Sequence, residues 1–114
     1  MGKSILKKNM VKLWENSNPS NNFNSQTIPL NLSDYSMVLV VCTNDQPASS
    51  AISAIGSSGI LITMNYDGNR RIGHRKFSVT SSGISFLNAF YSYAEQDGTA
   101  NNAVCKPYMI FGIR

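Results

Sequence analysis

Ile60-Leu61-Ile62-Thr63-Met64-Asn65-Tyr66, then Asp67-Gly68, then Arg70-Arg71-Ile72-Gly73-His74-Arg75-Lys76-Phe77-Ser78-Val79-Thr80: this stretch decides the fold. Its first run sets Ile60, Ile62 and Met64 against Leu61, Thr63 and Asn65. A period of two belongs to a strand and not to a helix. Asp-Gly between two such runs signals a hairpin, because the tight turn that fits twisted strands needs residues that accept positive φ. In the second run Ile72, His74, Lys76, Ser78 and Thr80 share one face. Arg71, Gly73, Arg75, Phe77 and Val79 share the other. The mixture of apolar and basic residues predicts a bulge or an irregular strand near Gly73.

The same reading extends in both directions. Toward the N-terminus, 51–55 is a short strand ended by Gly56-Ser57-Ser58-Gly59. Residues 36–43 (Ser-Met-Val-Leu-Val-Val-Cys-Thr) form an apolar run of strand length, which predicts a strand buried on both faces. Before it, 26–32 alternates with Ile28, Leu30 and Leu32 on one side, and Pro29 places that strand at an edge or an end. Ser33-Asp34-Tyr35 is a turn. Toward the C-terminus, Ser81-Ser82-Gly83 is a turn and a strand runs from Ile84 to about Tyr93. A polar loop occupies 94–102, and the last strand covers about 103–113. Roughly seven or eight short strands separated by Gly, Ser and Asn turns define an all-β fold, an antiparallel β-sandwich of jelly-roll-like type.

A chain of 114 residues makes one domain with a core of its own. Residues 1–12 differ from the rest. Lys3, Lys7, Lys8 and Lys12 surround Ile5, Leu6 and Met10, and with Leu13 and Trp14 these apolar residues have helix-like spacing. The expected organisation is a basic leader, stalk or anchor over 1–12 and the sandwich domain over 13–114.

Charged residues make up only 14% of the chain, well below an ordinary globular share, and Ser, Asn, Thr and Gly take their place. Such surfaces are common on extracellular and virion β proteins. The net charge of +4 is modest and local, shared between the leader and the Arg70, Arg71, Arg75 and Lys76 group around His74. No nucleic-acid motif with interleaved aromatics accompanies it, so nucleic acid is not an expected partner. No signal peptide is recognised, and no run approaches the roughly 20 apolar residues of a membrane span.

Cys42 and Cys105 read as two small buried hydrophobes. A bridge between them requires neighbouring strands, and without a CxxC or paired histidines they make no ordinary zinc site. His74 is the single histidine, so neither a metal cluster nor two-histidine acid–base chemistry is expected within one subunit. The carboxylates Glu15, Asp34, Asp45, Asp67, Glu95 and Asp97 show no pair suited to glycoside hydrolysis, and no nucleophile stands beside an evident base. The expectation is no catalytic residue, no metal and no cofactor.

Binding residues can be nominated. Tyr91 and Tyr93 lie two apart on a strand and precede Asn101 and Asn102. Aromatic faces suit the C–H surface of a sugar, and amides suit its hydroxyls. The alternative is that these tyrosines are surface strand formers, while Trp14 and Tyr108 belong to the core or to a subunit interface. Arg70, Arg71 and Arg75 suit anionic wall polymers, or equally a solubilising face.

Several segments together resemble a family. They are Leu13-Trp14-Glu15-Asn16, Asn18-Pro19-Ser20 with Phe23, and Gln26-Thr27-Ile28-Pro29-Leu30-Asn31-Leu32-Ser33-Asp34-Tyr35. Ser82-Gly83-Ile84 with Phe86, and the closing Cys105-Lys106-Pro107-Tyr108-Met109-Ile110-Phe111-Gly112-Ile113-Arg114, complete the set. In this order they resemble the small C-terminal domain of tail, tail-fibre and other minor structural proteins of phages and prophages of Gram-positive bacteria. The resemblance implies a virion module, assembled in the bacterial host cytoplasm, that forms a homotrimer with other phage structural proteins nearby and contacts a host surface polysaccharide. The alternative role is a capsid decoration or head-fibre protein attached to the shell through its N-terminal segment.

Overall fold

The computed structural model describes residues 9–43, 49–65, 71–93 and 99–114. Nine strands follow one another among these residues: β1 Met10–Glu15, β2 Gln26–Pro29, β3 Met37–Thr43, β4 Ser49–Ala54, β5 Ser58–Asn65, β6 Arg71–Thr80, β7 Gly83–Tyr93, β8 Thr99–Ala100 and β9 Lys106–Ile113. All pairings are antiparallel. One sheet has the order β1-β9-β3-β4, and the other β2-β7-β6-β5, with the short β8 added to β7. The nesting of β1 against β9 and of β2 against β7 gives the sandwich its jelly-roll-like character. A hairpin of β3 and β4 completes the first sheet and a meander of β5, β6 and β7 the second, with β4 and β5 at the edges opposite β1 and β2.

The core lies between the sheets. Val38, Val40, Cys42 and Ile110 come from the first sheet, and Leu61, Phe77, Val79, Ile84 and Phe86 from the second. Phe23 enters from the loop after β1 and meets Phe86 edge to face at 5.4 Å. Tyr35 packs across Gly112 so closely that a Cβ there would collide with its ring, and the Arg114 guanidinium lies 5.1 Å from that ring's centroid. The last strand is thereby fastened to the turn before β3.

Three expectations need correction. β3 was expected to be buried on both faces. Instead Val38, Val40 and Cys42 are buried, while Leu39 and Val41 are half-buried and Met37 is exposed. A two-layer sandwich covers only one face of each sheet. The helix-like spacing around Met10 and Leu13 belongs to a strand: β1 pairs with β9, and a register shift between Lys12 and Trp14 breaks its alternation. Met10–Lys12 therefore belongs to the sheet and not to the leader. The irregularity expected in β6 near Gly73 is present but lies a little further on, between Arg75 and Phe77: Arg75 pairs with Ala89 and Phe77 with Phe86, so the extra residue is on the partner strand β7, at Leu87 and Asn88. Pro29 does stand at an edge, since β2 is the outermost strand of its sheet. Asp67-Gly68 lies outside the described residues, and β5 and β6 flank it with Asn65 opposite Arg71.

Candidate functional site

The β5–β6 hairpin presents its Ile60, Ile62, Ile72 face to solvent and its Leu61, Thr63, Arg75, Phe77 face to the core. Arg75 is fully buried. Its Nε donates to the Cys105 carbonyl at 3.0 Å, its Nη1 to the Leu87 carbonyl at 2.7 Å and its Nη2 to the Val104 carbonyl at 3.2 Å. The guanidinium also sits 5.2 Å from the centroid of Phe23. Burial lowers its pKa to about 10, which leaves it cationic at neutral pH. Its role is to tie the turn before β9 to the bulge in β7. A planar fork with several donors suits three carbonyls in different directions. Arg75 thus departs from the expected anion-binding surface. Arg70 lies outside the described residues, and Arg71 is placed by its backbone alone, between Asn65 and Tyr93. The sequence carried a signal for this, because Arg75 shares a face with Phe77 and Val79.

The 91–102 surface is also partly spent on structure. Tyr91 is half-buried and pairs with Gly73 on one side and Thr99 on the other. Tyr93 is placed by its backbone opposite Arg71. The Asn102 Oδ1 accepts from the Ala89 N–H at 2.8 Å, and its Nδ2 donates to Asn24 at 3.2 Å and to Asn88 at 3.0 Å. The Asn102 carbonyl accepts from the Phe23 N–H at 3.0 Å. The Asn101 Oδ1 accepts from the Ala103 N–H at 3.0 Å. Asn102 is therefore a clamp between β7 and the loop carrying Phe23, with its amide committed to the protein. The structure brings Tyr91, Asn101 and Asn102 to one end of β7, but the amides that sequence reasoning offered to a ligand hold backbone instead.

Cys42 and Cys105 meet inside the core as free thiols. Cys105 lies in the turn directly before β9, and Cys42 on β3 is opposite Pro107 at the start of β9, which brings the two together. Cys105 has φ +48°, a region that non-glycine residues seldom occupy. Its hydrogen bond with Cys42, and then its burial, push the Cys105 thiol well above the usual range. A protonated, inaccessible thiol is a poor nucleophile. The folded protein is therefore expected to show no thiol reactive toward Ellman's reagent within minutes at pH 8, with both thiols titrating after denaturation. Rapid labelling of the native protein would contradict this packing.

On the outer face of the second sheet, His74 stacks on Phe90 at 5.7 Å with an interplanar angle of 25°. Ile62, His74 and Phe90 form one row across three strands, and Ile60 pairs with Lys76 beside it. Ile60, Ile62, Ile72, Leu87 and Phe90 are all exposed, Leu87 at 53%. A groove of about 550 Å³ runs along this face past Ser58, Ile60, Lys76 and Leu87. Sequence periodicity could identify this row as sharing a face but not that the face lay outside.

Among the described residues no group of three His, Cys, Asp or Glu side chains gathers to hold a metal, and no helix is long and apolar enough to cross a membrane. Four of the six carboxylates, Asp45, Asp67, Glu95 and Asp97, lie outside the described residues. The arrangement defines an antiparallel β-sandwich with an exposed apolar sheet face. No protein-family model, curated protein or solved structure matches the chain.

Proposed function

We propose that this chain is a non-enzymatic structural module of a bacteriophage virion, of the tail-fibre or receptor-binding type, that assembles as a homotrimer and contacts a host cell-surface glycan. The observation that carries the reading is the outer face of the second sheet. Five large apolar side chains stand exposed across three adjacent strands there. Contiguous apolar surface of this kind marks an interaction site more often than a solvated face. Fully burying such a side chain contributes about 1.5–3 kcal/mol, and these are already about half covered, so all five together, and not one or two, are needed to offset the cost of association. Copies of the same chain are the occupant favoured here, with Lys76 at the rim and the His74–Phe90 stack within the contact. Resemblance to phage tail modules over 13–114 supports the same assignment. A trimer converts weak sugar contacts into firm attachment by repetition.

Light scattering over a dilution series is expected to give three times the 12.5 kDa chain mass. Ile62→Lys, at a position 47% exposed, is expected to return the mass to that of one chain without loss of fold. Labelled wild-type protein is expected to sediment with Gram-positive cell walls and to be released after periodate oxidation of their sugars. A monomer at every concentration removes the avidity mechanism, and protein that stays in the supernatant of every wall tested removes the glycan contact.

A further inference from the structure

β1 and β2 are the outermost strands of the two sheets, and between them opens a cleft of about 330 Å³. Its lining shares no residue with the apolar sheet face, and it meets the 91–102 surface only through Phe23, whose N–H donates to the Asn102 carbonyl. Trp14 lines it from β1, Gln26 lines it from β2, and Asn16, Asn18, Asn21 and Asn22 line it from the loop between them. Its volume is at the small end of ligand sites, enough for one sugar unit.

The lining divides into fixed and uncommitted groups. Phe23 is buried and meets Trp14 edge to face at 6.3 Å, which supports the indole from behind. Asn16 is spent on structure: its Nδ2 donates to the Pro107 carbonyl at 3.0 Å and its Oδ1 accepts from the Asn18 N–H at 2.8 Å. These bonds hold the loop wall to the start of β9. The Gln26 Nε2 donates to the Asn24 carbonyl at 3.1 Å, which leaves its Oε1 for another donor. Neither the side-chain amides of Asn21 and Asn22 nor the half-buried indole N–H of Trp14 bonds to another described residue. A partly buried indole N–H ordinarily has an acceptor. The cleft thus offers an aromatic body, an N–H donor, two whole amides and one amide oxygen.

Charge narrows the ligand further. Glu15 is the charged residue of the lining, and Lys12 binds its carboxylate at 2.9 Å. Among the described residues the lining holds no cation for a phosphate or a carboxylate. An aromatic beside uncommitted amides matches the alternating C–H and hydroxyl surfaces of an uncharged sugar ring. The geometry points to a binding site for a neutral pyranose, a hexose or an N-acetylhexosamine, in the cleft between β1 and β2. This assignment rests on the glycan reading above and adds to it the site and the charge of the sugar. Single-site affinity in such a small, open cleft is weak, on the order of millimolar.

Trp14 is the single tryptophan, so intrinsic fluorescence reports on this cleft. Glucose, galactose, N-acetylglucosamine and glycerol phosphate serve as probes at matched ionic strength. At least one neutral sugar is expected to give a saturable change in Trp14 emission, and glycerol phosphate none. The double variant Asn21→Ala/Asn22→Ala, confined to exposed side chains, is expected to weaken that response at least fivefold while its unfolding transition stays put. Tyr91→Ala is expected to leave it unchanged. No saturable response to any neutral sugar, a response to glycerol phosphate alone, or equal affinity in the double variant overturns the assignment. Wall sedimentation separates the two levels. Wall binding retained in full by the double variant overturns the cleft and leaves the glycan module standing. Wild-type protein that binds neither walls nor sugars overturns both.

Discussion

Arg75→Met is expected to destabilise the domain by about 2–4 kcal/mol, seen as a lower urea midpoint with an unchanged slope and a melting temperature reduced by on the order of 10 °C. Methionine replaces the aliphatic stem of arginine but not its guanidinium, so the loss is chiefly of the polar fork, with a small packing loss where the fork stood. Three carbonyls, those of Leu87, Val104 and Cys105, lose their donors inside the protein. Each buried acceptor left without a partner costs about 1–3 kcal/mol. The sum is not reached, because the buried cation itself is costly and its removal offsets part of the loss. Arg75→Lys is expected to restore little. An ammonium keeps the charge but lacks the fork that reaches three carbonyls at once. The structural consequence is specific: the Val104–Cys105 turn and the β7 bulge should lose hydrogen-exchange protection before the β3–β9 ladder does. A loss under about 1 kcal/mol for both variants would show that these carbonyls find water easily and that Arg75 does not tie the turn to the bulge.

Gly83→Ala is expected to cost about as much, roughly 2–4 kcal/mol, for a different reason. Gly83 begins β7 with φ +153°, and a Cβ added there would run into the carbonyl oxygen of Ile28 and crowd the Pro29 Cα at 3.2 Å. Ile28 and Pro29 are the partners of Ile84 and Gly83 in the β2–β7 ladder. The edge strand has to move away, and with it go the Leu30 and Leu32 amides that donate to the Ser82 and Ser81 carbonyls. Gly56→Ala serves as the comparison. Gly56 also has positive φ, at +87°, but nothing lies within 4 Å of its added Cβ. Only backbone strain remains there, on the order of 1 kcal/mol. Equilibrium unfolding of the two variants separates the close approach from the strain. Equal losses would mean that β2 yields freely at this edge.

Much of the fold was legible because it is local. Alternation marked β5 and β6 nearly in their places, although β5 begins at Ser58 and takes in Gly59, which the sequence placed in a turn. Pro29, which has no N–H to give a neighbour, marked β2 as an edge. The candidate site was less legible. Asn101 and Asn102 look like free amides in a polar loop, yet the Asn102 amide is consumed by Asn24 and Asn88, the first of them 78 positions away. The Asn-rich segment after Trp14 looks like an ordinary loop. It becomes a cleft wall only when β2 is set beside β1 across the edge of the sandwich.

By itself, then, the chain's order of residues determined that strands form, roughly where most of them lie, though neither β1 nor the short β8, and which side chains share a face. Those properties follow from the two-residue repeat and from residues with restricted backbones, and each acts within a few positions of itself. Only the tertiary structure decided which face of the β5–β6 hairpin turns inward. Both faces carry apolar and basic residues, so periodicity alone leaves the choice open, and packing against the first sheet makes it. That choice buries Arg75 where three carbonyls await it and leaves Ile60, Ile62 and Ile72 to solvent. Tertiary packing likewise takes the amides of Asn16 and Asn102, while those of Asn21 and Asn22 bond to no other described residue. Hydrogen-bond commitments of this kind are made between distant segments, and no local pattern records them.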